Sequence, residues 1–168
     1  MKPFARSTAA VPDAASRHAP LELENFLPYR LSILSNTVSQ AIADDYQQRH
    51  DLTVTEWRVM AVLARFDGLS AREVAERTAM DKVAVSRALA RLVTAGRVHR
   101  ATHDDDRRRS VLGLTPAGWA LHQQIAPLAR QREQELLARL DADEREWLDR
   151  ILAKLLEAGN GESGIGNR

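Results

Sequence analysis

The sequence predicts a mainly α-helical chain carrying one small β-hairpin, and three observations lead there. Apolar residues recur three or four positions apart through most of the chain, as they do on one face of a helix. Aromatic residues make up 5% of the chain while Ala, Leu, Arg and Glu dominate, a mix that favours helices over a large sheet. One short region breaks the helical period: Arg97 to Thr102 and Ser110 to Leu114 roughly alternate around a charged turn, His103 to Arg109, which is the pattern of a hairpin.

The elements follow in order. Residues 1–20 are rich in Ala, Pro and Ser, lack a period, and are expected to form a disordered arm. Leu27, Leu31, Leu34, Val38, Ala41 and Asp45, with Ile42 beside them, mark one face of a long first helix, with Pro28 in its first turn. Thr53 with Glu56 is a capping box opening a second helix, Thr55 to Phe66, which carries Trp57, Met60 and Leu63 inward and breaks at Gly68. Ser70 with Glu73 is another capping box and starts a short helix, Ala71 to Thr78. Asp81 caps a fourth helix, Lys82 to Ala95, and Gly96 suits a left-handed C-terminal cap. After the hairpin, Thr115-Pro116 opens a fifth helix with Trp119, Ile125, Leu128, Leu136 and Leu140 as its apolar set, which Pro127 is expected to kink. Asp141 with Glu144 caps a sixth helix bearing Trp147, Ile151, Leu155 and Leu156. Residues 158–168, with four glycines, read as a flexible tail.

Composition excludes several classes. The chain has 168 residues and a net charge of +1, but from Arg72 to Arg109 there are ten basic residues against six acidic, a local surplus of four. Such a surplus is the footprint of a polyanion site or of a solvated helix face. There is no cysteine, so no disulfide framework, thiolate zinc site or cysteine redox switch exists in the chain. No apolar run approaches membrane-spanning length, and nothing after Lys2 and Arg6 resembles a secretory signal; a cytoplasmic location is expected.

The centre of the chain has a specific spacing. A short capped helix, a tight connection at Ala79-Met80 and a longer helix make a helix-turn-helix, and the hairpin after it makes a wing. Val83, Val85, Leu89 and Leu92 can pack inward, while Lys82, Ser86, Arg87 and Arg91 can project outward to phosphates and base edges. Arg87 is the candidate for a bidentate contact to guanine. Ser86 can bond a base or a phosphate, and Lys82 sits near a helix N-terminus that favours phosphate. Solvation, or pairing of Arg87 and Arg91 with Glu73 or Glu76, is the plain alternative. On the wing, Arg107, Arg108 and Arg109 can enter a narrow minor groove, with Asp106 holding one of them in place. The complete candidate set for DNA is Lys82, Val83, Ser86, Arg87, Arg91, Arg107, Arg108 and Arg109. In the N-terminal arm, Arg6 and Arg17 can also reach DNA, or simply be solvated.

The run from Asp81 to Leu92 with its terminating Gly96 resembles the recognition helix of MarR-family regulators, and so does the wing, with Asp106-Arg107-Arg108 followed by Leu114-Thr115 and Gly118. Leu52-Thr53 with Trp57 and Leu63 matches the usual second helix. The resemblance spans roughly residues 25 to 157. It implies a homodimeric, ligand-responsive repressor with a winged helix-turn-helix lobe at 51–114 and a helical dimerisation region at 21–50 and 115–157. The long apolar stripes of the first and last helices agree, since they exceed what so small a DNA-binding unit needs. Two recognition helices would then meet half-sites about 34 Å apart on a pseudo-palindrome.

The family also implies an effector, and Phe26 to Ser32 is similar to regulators of aromatic-acid catabolism. A small aromatic carboxylate or an acyl-CoA thioester is the class expected, regulating aromatic-acid metabolism or efflux, and no cofactor is implied. Candidate lining residues are Tyr29, Arg30, Ile33, Leu34, Trp57 and Arg58. Core packing is the favoured alternative for Trp57, and a bridge to Glu24 the alternative for Arg30. His99 and His103 beside Asp104 make an incomplete metal set, and no metal site is assigned. An enzyme is disfavoured by the lack of a phosphate loop, a nucleophile motif or paired carboxylates, His50, Asp51 and His122 standing isolated. The arginine-tipped wing argues against a protein-binding winged helix, and a nonspecific architectural DNA binder is the remaining alternative.

Overall fold

Six helices and one antiparallel hairpin follow one another along the chain in the computed structural model, which describes residues 20–103 and 106–162, with the backbone alone at 102, 103, 106–109 and 159–162. The arm at 1–20 therefore lies almost wholly outside the described residues, as do Arg6, Arg17 and Asp104. Two compact units divide at Thr37 and Val38. The first holds a short 3-10 turn, Leu23–Asn25, and the opening turns of α1 (Leu27–His50). Its apolar side chains, Leu27, Leu31, Ile33 and Leu34 among them, are exposed.

In the second unit, the helix boundaries sit where side-chain caps place them. Thr53 and Glu56 close a capping box on α2 (Val54–Arg65), and Ser70 and Glu73 close another on α3 (Ala71–Thr78). Each satisfies amide donors that a helix start leaves unpaired. Between α3 and α4 (Lys82–Thr94) the chain turns through Ala79 in the left-handed region, φ +50°. A non-glycine residue there costs about 1 kcal/mol. Bonds from Ala79 N to Glu76 O and from Met80 N to Ala75 O hold it. Gly96 ends α4 at φ +67°, with Arg97 N donating to Leu92 O, the left-handed cap expected of that glycine.

The hairpin is longer than its pattern indicates. β1 (Val98–His103) pairs with β2 (Asp106–Leu114): Thr102 faces Ser110 and His103 faces Asp106, so Asp106 to Arg109 fall within the strand and not the turn, with Arg107 to Arg109 bulging out of the register. Charge disguises the strand, because alternation of apolar and polar residues begins only at Ser110. Leu69 adds a bridge to Leu112, with Leu112 N donating to Leu69 O at 2.8 Å.

Thr115 joins wing to helix. Its amide donates to Arg97 O, and its hydroxyl donates to Gly96 O at 2.6 Å and accepts from Gly118 N at 3.0 Å. It thereby caps α5 (Pro116–Leu137), which runs on through Pro127, while Leu140 lies beyond its end. Asp141 and Glu144 cap α6, Ala142–Glu162, whose helical backbone passes the boundary expected at 158.

Residues from every helix of this unit except α6, together with both strands, build the core: Tyr46 from α1, Val59, Met60 and Leu63 from α2, Val74 from α3, Val85, Leu89 and Leu92 from α4, Val98 and Leu112 from the wing, and Ile125 from α5. At about 25 cal/mol per Å² of apolar surface, such side chains contribute ~1.5–3 kcal/mol each. Trp57 is half-buried, and Trp119, placed by its spacing in the apolar set of α5, is exposed. Arg132 on α5 grips Asp45 on α1 with two bonds, 2.8 and 2.9 Å, and reaches Glu135 at 2.9 Å. Asp45, which the sequence pattern sets on an apolar stripe, serves there as an ion-pair partner.

These contacts can be tested through stability. A Cβ at Gly118 would overlap the Arg97 carbonyl oxygen. Gly118→Ala is expected to lower the unfolding free energy by about 1–3 kcal/mol in urea; an unchanged midpoint would mean that the start of α5 can shift at little cost. The hydrogen bond from Arg132 holds the Asp45 carboxyl below its ordinary 3.8, against an opposing push from burial. A depressed carboxylate stabilises the fold above its unfolded pKa, and the contribution fades as pH falls through the folded one. Wild type should therefore melt above Asp45→Asn at neutral pH, and the gap should close on acidification below 3.8. A gap that persists at low pH would rule out the charge as its source.

Candidate nucleic-acid interface

The sequence of α4 divides it lengthwise. Val85, Ala88, Leu89 and Leu92 are buried, and Lys82, Val83, Ser86, Arg87 and Arg91 are exposed. Val83 is thus not an inward residue: it is 56% exposed, on the same side as Lys82 and Ser86. An exposed methyl pair in this place suits contact with a thymine methyl.

Lys82 and Arg87 form no hydrogen bond or ion pair with any described residue, so both cations are available. Neither Glu73 nor Glu76 takes Arg87: Glu73 closes the α3 cap, and Glu76 pairs with Arg72 at 2.7 Å. Arg91 differs from its neighbours. Its Nε donates to Glu56 Oε1 at 2.9 Å, and its Nη2 lies 3.7 Å from Asp51. The start of α4 also departs from expectation. Asp81 Oδ1 accepts from the amides of both Val83 and Ala84, at 2.9 and 3.0 Å. Those two amides are taken, and the exposed Lys82 ammonium is the cation at this end.

Sequence reasoning missed Glu56 as a partner of α4. Its capping role is local and legible, but Arg91 lies 35 positions away. Arg97 was missed as well: it donates to His50 O at 2.6 Å and Asp51 O at 3.2 Å, bracing a turn in which Asp51 has φ +43°. Arg107, Arg108 and Arg109 lie on β2, with Asp106 at its start; their side chains lie outside the described residues.

The candidate effector residues fall in different units. Tyr29, Arg30, Ile33 and Leu34 belong to the first and are exposed. Arg30 and Glu24 form no ion pair. Trp57 and Arg58 belong to the second and have protein partners. Arg58 donates to Ser39 Oγ at 2.6 Å. Trp57 stacks on His122 at 5.4 Å and tilts against Tyr46 at 6.0 Å. His122, isolated in the sequence, therefore sits in an aromatic cluster that Trp119 completes edge-on at 5.7 Å. Burial, helped by the nearby Arg130 charge, pushes the His122 pKa down, and burial chiefly pushes Tyr46 up to about 12. His99 is exposed, its ring near Gly113; the side chains of His103 and Asp104 lie outside the described residues.

With this geometry in place, comparison with known proteins is specific. A family model described as MarR family matches residues 50–109. The multiple antibiotic resistance protein MarR of Escherichia coli is 30% identical over 128 residues, covering 76% of this chain and 89% of that protein. The homoprotocatechuate degradative operon repressor of Escherichia coli is 25% identical over 113 residues, covering 67% and 76%. Among solved structures, a mutant of Escherichia coli MarR complexed with operator DNA matches with a TM-score of 0.69 at 28% identity, covering 82% of this chain and 99% of that one.

The cap on α4 yields a direct test. Asp81→Ala should cost about 1 kcal/mol of unfolding free energy, and Asp81→Ser should recover most of it. Equal loss in both variants would show that the Asp81 charge, not its hydrogen bonds, supports the helix start.

Proposed function

Because this chain belongs to the MarR family, whose members are DNA-binding transcriptional regulators and not enzymes, we propose that it is a homodimeric repressor that reads a pseudo-palindromic operator and releases it on binding a small aromatic acid. One observation carries the DNA-reading role: Lys82, Ser86 and Arg87 stand exposed on a helix whose opposite face is buried in the core. A reading helix needs both halves of that arrangement, because its donors must be held rigidly while they meet base edges. Arg87 takes a base. Lys82 takes a phosphate. The arginines of the wing, Arg107 to Arg109, enter the minor groove.

Dimerisation is supported by the exposed apolar side chains of α1 and α6. Leu27, Leu31 and Leu34 on the first, and Trp147, Ile151 and Leu155 on the second, are each more than a third exposed in the single chain. Apolar area on that scale is best covered by a second copy. Residues 21–50 and 115–157 form the pairing region in this reading, and 51–114 the DNA-binding lobe.

An aromatic-acid effector is supported by the relative that represses a homoprotocatechuate degradative operon, and by exposed Arg30, with no ion-pair partner among the described residues, beside Tyr29 and Ile33. The commitments of Trp57 and Arg58 leave Arg30 as the group to hold a carboxylate.

Fluorescence anisotropy on the duplex upstream of the protein's own gene tests the reading. Binding about a thousand-fold tighter than to a scrambled duplex is expected, and weaker on adding benzoate. Equal binding to every duplex, including those recovered by selection from random sequence, would establish a nonspecific DNA binder instead. Arg87→Ala should cost about 1–3 kcal/mol of operator binding and relax preference at one base pair; uniform weakening across sequences would make Arg87 a phosphate contact.

A further inference from the structure

Glu56 is a carboxylate withdrawn from water, its side chain 3% exposed. Such a group is stable only when donors meet its oxygens. Oε2 accepts from the amide and the hydroxyl of Thr53, both at 2.7 Å, which completes the α2 cap. Oε1 is left over, and Arg91 supplies its donor from another helix. The Arg91 side chain is 57% exposed, so the pair has one end in the core and one end on the exposed face of α4.

This arrangement does something that apolar packing does not. Val85, Leu89 and Leu92 seat α4 on the core, but these side chains are buried and none of them reaches the outer edge of the helix where Arg87 and Arg91 stand. A hydrogen-bonded ion pair is directional. Arg87 lies one turn before Arg91 on the same face, and a shallow cleft of about 270 Å³, lined by Thr53, Glu56, Arg87 and Arg91 among others, separates the start of α2 from that face. The Glu56 contact spans this gap. Arg97 steadies the turn at Asp51, which places a second carboxylate beside the same guanidinium.

We propose that Arg91 is a positioning residue: through the buried carboxylate of Glu56 it sets where Arg87 meets its base pair, and it does not itself hold a phosphate. The proposal rests on the DNA-reading role given above. It differs from a backbone contact in one measurable way. Each phosphate neutralised adds about 0.9 to the slope of log affinity against log salt, whereas a positioning group adds nothing to that slope.

Operator and scrambled duplexes are titrated across a salt series with wild type, Glu56→Gln, Arg91→Ala, Arg91→Lys and the Glu56→Gln/Arg91→Ala double variant, after thermal unfolding confirms that each is folded. Glutamine still closes a capping box. Glu56→Gln, at a residue that cannot touch DNA, should cut the operator-over-scramble ratio about tenfold and leave the salt slope unchanged. Arg91→Ala should do the same, and the double variant should lose no more than the worse single one. Lysine keeps the charge but not the planar donor, so Arg91→Lys should not restore the ratio.

A wild-type ratio in Glu56→Gln overturns the proposal. So does an Arg91→Ala variant that weakens both duplexes alike, lowers the slope by about one ion and is rescued by lysine. Should Glu56→Gln not fold, Arg91→Lys decides alone: a lost ratio supports the proposal and a retained one overturns it. A wild type without any operator preference overturns the DNA-reading role and this proposal together, whereas a preference that survives every variant overturns this proposal alone.

Discussion

A helix can present donors to DNA in fixed register only if its other side is held, and here the burial of Val85, Ala88, Leu89 and Leu92 does the holding. The other elements of the second unit are arranged around that requirement. α2 and α3 supply Val59, Met60, Leu63 and Val74 for the buried face to pack against, and the wing adds Val98 and Leu112. The left-handed Ala79 sets the angle at which α4 leaves α3, at a local cost that its two carbonyl partners hold in place. The outer face then needs no special backbone geometry. Lys82, Ser86 and Arg87 are exposed because a helix with one buried stripe must expose the other.

Local chemistry is legible in the sequence and distant chemistry is not. The caps at Thr53, Ser70, Asp81, Thr115 and Asp141 are all readable, because each is completed within three residues of itself. The ion pairs of Arg91 with Glu56 and Arg132 with Asp45 are invisible there. They join positions 35 and 87 apart, and no periodicity links such residues. Val83 is misread because hydrophobicity argues for burial, while one turn of helix geometry puts it beside Lys82 and Ser86. The early part of β2 is hidden because Asp106 to Arg109 carry charges throughout. Arg107 to Arg109 bulge out of the register and have no alternation to show, and recognising a strand from sequence depends on alternation.

The aromatic cluster of Tyr46, Trp57, His122 and Trp119 shows the same limit from the other side. Each residue is legible alone, and packing is the natural reading of Trp57, but only the fold shows α1, α2 and α5 contributing to one stack. Its histidine is held toward the neutral form by burial, which favours an uncharged ring between the two indoles. Arg132 and Asp45 tie α1 to α5 by a second, polar connection. A helix near the end of the chain is thus fastened to one near its beginning by two kinds of force with different responses to salt and pH.

The anchoring of Thr115 bears on how the wing can change over evolution. Its amide and hydroxyl bond the carbonyls of Arg97 and Gly96, so the hairpin leaves and re-enters the lobe at nearly the same point. A loop closed at its base transmits little of what happens at its tip. Insertions or deletions between Thr102 and Ser110 would alter the reach of the wing while α4 and α5 kept their places, and lengthening such a loop carries a small entropic cost, roughly 0.6 kcal/mol per doubling. Wing length can therefore drift between relatives as an independent variable, changing how far the hairpin projects without renegotiating the fold.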